Sequence, residues 1–317
     1  MVLKHSRYLI TGAICASSGF LAGCWYTRRP PRSNDRQYLN FSAVHAASAP
    51  NLAVPLDSLS PLEQKPQLKE SKTASLTKYG LPSFNNLRSF DDYVLSYDTR
   101  NRVPNWVLEH LTPANIEKNQ QVDRSKCEFR ADPQVHSYFQ SNNADYKGSG
   151  FDRGHMAAAG NHCTSHNLVN GTFYLSNMAP QVGKGFNRDK WNELEKHARR
   201  LARHSRNVYV VTGPLYLPIK ENDGKMYVKY QVIGNSHVSV PTHFFKVLLA
   251  ETPSGTFTIE SYVLPNRAIP DEVALKSFLI PLESIERAAG LLMFQKLPPG
   301  SITLVNQPYF KTQAIGT

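Results

Sequence analysis

Asp152-Arg153-Gly154-His155 leads to Phe173-Tyr174-Leu175-Ser176-Asn177-Met178-Ala179-Pro180-Gln181 and then to Asn187-Arg188-Asp189-Lys190-Trp191-Asn192-Glu193-Leu194-Glu195. The last part sets the local structure. Trp191, Leu194, Ala198 and Leu201 stand at i, i+3, i+7 and i+10, so the spacing predicts a helix over 188–203 with one buried stripe. Asn187 falls at its N-cap position. Glu195 lies eight residues on, about 80° around the helix axis, so the two side chains look into one cleft. Phe173 to Ser176 reads as a short buried strand, and Pro180 with Gly183 to Gly185 as a loop.

Upstream, Tyr93-Val94-Leu95-Ser96-Tyr97 and Trp106 to Leu111 are β-rich runs joined by the polar turn Asp98 to Arg102. Together they predict a hairpin. Tyr79-Gly80-Leu81-Pro82 marks a turn, and Asp132-Pro133 predicts the start of a short helix with proline at its first position. Downstream, Val208 to Thr212, Tyr227 to Ile233, His243 to Ala250 and Phe257 to Leu264 are further β-rich runs. Asn222-Asp223-Gly224 is a turn between two of them, and Pro281 to Ala289 predicts a closing helix. Two strands, a helix, then a run of strands indicate an α+β domain with a mainly antiparallel sheet and flanking helices. The domain is expected over 76–312. No internal repeat is visible.

Composition bounds what such a domain can do. The 317 residues suit one large or two ordinary domains. A hydrophobic content of 41% supplies a core, and a mean hydropathy of -0.41 argues against a multi-span membrane protein. The net charge of +11 and pI of about 9.4 speak of partners rather than fold, and favour nucleic acid or an anionic membrane surface. The plainer alternative is an organellar or secreted protein that is merely basic.

Residues 1–32 read as a targeting segment. Lys4 and Arg7 precede an apolar run from Tyr8 to Tyr26; Arg28, Arg29 and Arg32 follow, and no acid occurs before Asp35. A secretory signal and a mitochondrial presequence with a hydrophobic sorting or anchoring stretch both fit these cues. Residues 33–75 alternate Ala, Ser, Pro, Leu and Lys without a sustained period and read as a flexible linker. Of four cysteines, Cys15 and Cys24 lie in the apolar segment. Cys127 and Cys163 remain; no CxxC is present, and they read as free thiols. A zinc site from His155, His162, Cys163 and His166 matches neither HExxH nor paired CxxC spacing.

A histidine, several amides, a carboxylate and arginines between Asp152 and Glu195 suit phosphodiester hydrolysis. That reaction needs a base for water, a hard metal for the phosphate and leaving oxygen, and cations for the spreading negative charge. The full run Asn143-Ala144-Asp145-Tyr146-Lys147-Gly148-Ser149-Gly150-Phe151-Asp152-Arg153-Gly154-His155, then Phe173 to Gln181, then Asn187, Trp191 and Leu194-Glu195, resembles the DNA/RNA non-specific endonucleases of the ββα-metal class. Thr212-Gly213-Pro214-Leu215 and Val240 to Lys246 add to the match, which runs from residue 76 to near 295. An isolated DRGH is weak evidence; the linked set in this order is specific. Phe186 stands where the family commonly has leucine, but Asn187 keeps Trp191 and Glu195 at the family spacing.

The resemblance implies a ββα-metal nuclease that cuts DNA and RNA without regard to the sugar. His155 would be the general base and Asn187 the direct protein ligand of Mg²⁺ or Mn²⁺. Glu195 would hold metal-bound waters, and Arg153 the phosphoryl oxygens. Asn177 would place His155 or the phosphate, and Arg199 would pair with Glu195 or reach substrate. Each residue also has a plainer reading. His155 is one of eleven histidines, Asn187 a helix cap, Glu195 a solvated carboxylate, Arg153 an ion-pair partner of Asp152 and Asn177 a turn former. The resemblance further implies a mitochondrial location at the intermembrane space or inner membrane, a homodimer, release to the nucleus in cell death, and substrates of double- and single-stranded DNA and RNA. It leaves a protein inhibitor open. A mitochondrial relative with 5′-exonuclease action is the nearest alternative function. A non-catalytic basic nucleic-acid-binding module is the other.

Overall fold

β-branched and aromatic residues fill both faces of the long strands, so the sheet they form must be covered on both sides. The computed structural model describes residues 72–306, all within the second of two compact units, Gln67–Thr317. The expected targeting segment, all but the last residues of the linker and the end of the expected domain lie outside the described residues. Among the described residues, no helix is long and apolar enough to cross a membrane.

The elements in chain order are α1 (Lys72–Leu76), β1 (Leu87–Ser89), β2 (Tyr93–Asp98), β3 (Val103–Leu111), α2 (Asn143–Tyr146), β4 (Phe151–His155), α3 (His166–Gly171), β5 (Met178–Val182) and α4 (Trp191–Arg203). There follow β6 (Asn207–Leu215), β7 (Ile219–Lys220), β8 (Met226–Tyr227), β9 (Val232–Ile233), β10 (Val238–Ser239), β11 (His243–Glu251), β12 (Phe257–Pro265), α5 (Leu282–Ala289) and β13 (Ile302–Asn306). Seven strands form one sheet in the order β1-β2-β3-β6-β11-β12-β13. Every pairing in it is antiparallel except β12 with β13. The hairpin expected over 93–111 is present as β2 and β3.

Alternate residues sort into two cores. Leu95, Val107, Val210, Phe244 and Leu264 face Trp191, Leu194 and Ala198 of α4. Trp106, Leu108, Tyr209, Val211, Phe245 and Ile259 face away from it, toward Leu76 of α1 and Ile285 of α5. The helix stripe is as expected at Trp191, Leu194 and Ala198, with Ala202 more buried than Leu201.

Several local expectations are corrected. Phe173 to Ser176 is not a strand: a 3-10 turn covers Leu175–Asn177, and β5 starts at Met178. Asp132-Pro133 opens a turn rather than a helix; the Asp132 carboxylate accepts from Gln134 N at 3.0 Å and also holds Arg88 at 2.8 Å and Ser176 Oγ at 2.7 Å. Tyr227 to Ile233 splits into the short β8 and β9, and Val228, Tyr230 and Val232 are exposed. The winding that leads into α4 begins before Arg188, so Asn187 is no cap. Lys184 (ψ 136°) and Gly185 (φ 82°) are the non-helical residues, and Asn187 sits inside a π-type turn, Gly183–Lys190. α1 begins at Lys72, four residues ahead of the expected domain start.

Gly213 on β6 faces Phe245 of β11 in register. A Cβ there would lie 2.4 Å from the Phe245 ring and 2.7 Å from the Asn105 carbonyl. Gly213→Ala is expected to destabilise the domain by about 1–3 kcal/mol through overpacking, read as a lower midpoint in urea unfolding.

Candidate active site

Asp152, Arg153 and His155 leave one short strand, and that strand is held by its partner. β4 pairs with β5 so that Gly154 lies opposite Ala179 and His155 opposite Met178. The fully buried Gln181 side chain folds over Gly154; a Cβ there would meet Gln181 Oε1 at 2.2 Å. Glycine is therefore required between the arginine and the histidine.

β4, the wound turn before α4 and the first turns of α4 enclose a cleft of about 910 Å³ that includes Arg153, His155, Asn187 and Glu195. The imidazole of His155 is 7% exposed. It meets Phe173 edge-on at 4.7 Å and Phe129 at 5.6 Å between ring centres. Its Nε2 has no hydrogen-bond partner among the described residues. Burial, helped by the charges of Arg124 and His162, pushes its pKa down to about 3, so the ring is neutral at pH 7, although the same shift makes it a weaker proton acceptor than a free imidazole.

Asn177 is fully buried and lies outside the cleft lining. Its Oδ1 accepts from Ala157 N at 2.8 Å, and its Nδ2 donates to the carbonyls of Ala157 (3.1 Å) and Thr172 (2.9 Å). It thus clamps the backbone just past His155, and the phosphate half of its expected role has no geometry behind it. Arg153 donates to Asn143 Oδ1 at 2.8 Å and stacks over Phe129 at 4.4 Å. It does not pair with Asp152, which is taken by Arg188 through Nε at 2.8 Å and Nη2 at 2.6 Å. Those hydrogen bonds hold the Asp152 carboxyl below the usual carboxylate range.

The same Asp152 accepts from Asn187 Nδ2 at 3.0 Å. That bond orients the amide. With its NH₂ on the carboxylate, its Oδ1 is the atom left for a cation. Glu195 is half-buried in the cleft, and its carboxylate has no hydrogen bond to described residues. Burial raises its carboxyl above the usual range, opposed by Lys246 and Arg199. Arg199 is not in the lining: it donates to Asn161 Oδ1 at 2.9 Å beneath Gly160.

Below the cleft lies a polar layer that sequence reasoning did not anticipate. Lys246 is 1% exposed, donates to Thr212 Oγ1 at 2.6 Å and lies 4.8 Å over the Trp191 ring. His162 is buried between Glu109 (3.0 Å) and Asp92 (3.6 Å). A lysine inside the apolar run Phe244-Phe245-Lys246-Val247-Leu248 was the available sign, since an unbroken buried strand has no room for a free charge. Asp152 as orienter and Arg124 as a lining cation left no such sign. Cys127 and Cys163 are free thiols.

The family model for DNA/RNA non-specific endonucleases matches residues 72–300. The chain belongs to this family. It is a nuclease. It is similar to the mitochondrial endonuclease G of Caenorhabditis elegans, 56% identical over 236 residues, 74% of this chain and 77% of that one. It is 54% identical over 217 residues to the mitochondrial endonuclease G of Homo sapiens, 68% of this chain and 72% of that one. A solved structure described as an EndoG/EndoGI complex and a mechanism of EndoG inhibition superposes with a TM-score of 0.74 at 55% identity, over 75% of this chain and 97% of that one. This likeness agrees with the ββα-metal architecture and the mainly antiparallel sheet.

The buried ion pairs carry a pH dependence. Burial opposes the charge on His162, but hydrogen bonds to Asp92 and Glu109 overcome it and raise the pKa to about 9. A raised folded pKa stabilises fully below the unfolded value of about 6.5 and is lost as pH climbs through the folded value. Stability is therefore expected to fall by a few kcal/mol between about pH 6.5 and 9, and His162→Gln to flatten that slope in urea titrations across the window.

Proposed function

We propose that the cleft hydrolyses phosphodiester bonds of double- and single-stranded DNA and of RNA, with His155 as general base. The observation that carries this reading is the neutral, buried imidazole sharing one cleft with the Asn187 amide and the Glu195 carboxylate.

The donor set fits a hard divalent cation. Asn187 presents an amide oxygen because Asp152 takes its nitrogen, and Glu195 offers a carboxylate free of protein hydrogen bonds among the described residues. No group of three or more His, Cys, Asp or Glu that could hold a metal occurs among the described residues. One amide and one nearby carboxylate suit Mg²⁺ or Mn²⁺, which keep several waters and take further oxygens from a phosphate. Asn187 would hold the ion directly and Glu195 through water. When bound, such an ion neutralises charge on the phosphate and on the departing oxygen.

The protein's own residues do the rest. His155 takes a proton from water as that water attacks phosphorus in line, and the P–O3′ bond breaks, the departing O3′ taking a proton from a solvent water, to leave 5′-phosphate and 3′-hydroxyl ends. Arg153, fixed by Asn143 and Phe129, faces the phosphoryl oxygens. Asn177 holds the backbone that carries the base. Arg199 serves beneath the cleft, near Glu195, rather than on substrate.

Assembly and address follow the same reading. Met226, Val228 and Val232 are 59%, 51% and 47% exposed, and exposed apolar side chains of this kind suit a homodimer contact. The mitochondrial names of its relatives support a mitochondrial location. The intermembrane space or inner membrane, and release to the nucleus in cell death, are the finer assignments we carry from the family. An inhibitor protein is a reasonable partner, since the solved relative is described in complex with one.

Covalently closed plasmid tests the reading, because an exonuclease finds no end on it. The full-length protein is expected to nick and linearise it with Mg²⁺ and not without. His155→Ala should lose about 10²–10⁴-fold in rate with DNA binding intact, and retained cleavage would overturn the assignment. Because the imidazole is held neutral down to about pH 3, wild-type kcat/KM should show no inflection near the ordinary histidine value of about 6.5. Asp152→Asn is expected to weaken Mn²⁺ binding about 10–100-fold in a metal titration.

A further inference from the structure

The exposed edge of α4 carries cations that the cleft does not use. The helix buries Trp191, Leu194, Ala198 and Ala202. Asn192 and Glu195 line the cleft. Lys196, Arg199 and Arg203 follow Asn192 at i+4, i+7 and i+11, within about 40° of its direction around the axis. Arg199 is turned inward to Asn161. Lys196 and Arg203 are exposed, as is Arg200 on their flank. Among the described residues none of these three forms an ion pair; Arg200 makes one long hydrogen bond to His197 Nδ1 at 3.4 Å.

We propose that Lys196, Arg200 and Arg203 form a phosphate track that continues the substrate strand beyond the cleft, so that the nuclease grips several nucleotides on one side of the cut. This rests on the reading of the cleft as the hydrolytic site. From Asn192 to Arg203 the helix rises about 16 Å, which matches about five phosphates of one strand at about 3.4 Å each along the duplex axis. Asp189, Glu193 and Asp271 share a shallow depression with Asn192 and Lys196, and Glu193 is occupied by Lys190 at 2.8 Å. The acids therefore mark the cleft end of the track, and the positive charge grows away from it.

Two other uses of these cations explain less. Arg200 and Arg203 lie in the last helical turn, where cations offset the helix dipole, but Lys196 is mid-helix and the alignment with Asn192 is left over. An anionic membrane would call for an apolar flank beside the basic residues, whereas Trp191, Leu194, Ala198 and Ala202 are all buried.

The test compares full-length wild type with the triple variant Lys196→Ser, Arg200→Ser, Arg203→Ser on a trinucleotide, which only the cleft can hold, and on a 30-base-pair duplex. For the variant, duplex KM is expected to rise on the order of tenfold near physiological salt. The slope of log KM against log salt should fall by about 2–3 for three lost phosphate contacts. Trinucleotide cleavage and kcat at saturating duplex should stay at the wild-type level. An unchanged salt slope would overturn the track. So would an equal loss on both substrates, which would put these residues inside the cleft's own work. Loss of binding to phosphatidylserine vesicles with the duplex slope intact would assign them to a membrane instead. Failure of the wild type on both substrates would count against the hydrolytic reading and not against the track.

Discussion

One hydrogen bond fixes which end of the Asn187 amide faces the cleft: Asn187 Nδ2 on Asp152 Oδ2 at 3.0 Å. An amide has a donor end and an acceptor end, and only the acceptor suits a hard metal. Asp152 is kept ionised by Arg188 on its other edge, so it has only acceptor character to offer and fixes the amide in one sense. The strand that carries Asp152 also carries Arg153 and His155. The short β4–β5 pair therefore positions His155, Arg153 and, through Asp152, the Asn187 amide at once. α4 adds Glu195 from the other wall, held in place by Trp191 and Leu194 packed on the sheet.

The sheet face under that wall is mostly apolar, broken beneath the cleft and also at Glu260, which meets His197 of α4 at 2.6 Å. Lys246, Thr212 and Glu109 interrupt the core face beneath α4, and Asn161, His162 and Arg199 join them from above. Buried ions of this kind contribute little net stability against well-packed apolar side chains, because desolvation offsets much of their attraction. Their placement is better understood from the field they set. Lys246 and Arg199 favour the ionised form of Glu195, while burial, Arg124 and His162 keep His155 without its proton. The same surroundings thus act on both groups: burial raises the Glu195 carboxyl against the pull of Lys246 and Arg199, and leaves the His155 imidazole neutral.

Much of this was open to a reader of the sequence, and the division follows the range of the forces involved. The α4 stripe and the β2–β3 hairpin depend on neighbours a few residues apart, so periodicity and turn residues carry them. The expectations that failed depend on distant partners. Asp132 spends its carboxylate on Arg88, 44 residues away, as well as on the local turn. The run from Phe173 to Ser176 is apolar in either conformation, and its Asn177 is spent on the backbone of Ala157. The residues from Tyr227 to Ile233 have strand composition, but only Ile233 reaches the core, while Val228, Tyr230 and Val232 remain exposed.

The sequence by itself determined which candidate groups meet at the cleft. The histidine, the amide and the carboxylate stand at spacings that a strand, a turn and a helix bring to one side, and that information is local. Tertiary structure alone decided their chemical state. Which end of Asn187 faces the cleft, whether His155 holds a proton, and whether Arg199 faces substrate or Asn161 all depend on groups tens of residues apart in the chain. Protonation and hydrogen-bond direction respond to the full surroundings of an atom, and those surroundings exist only once the sheet has closed beneath the helix.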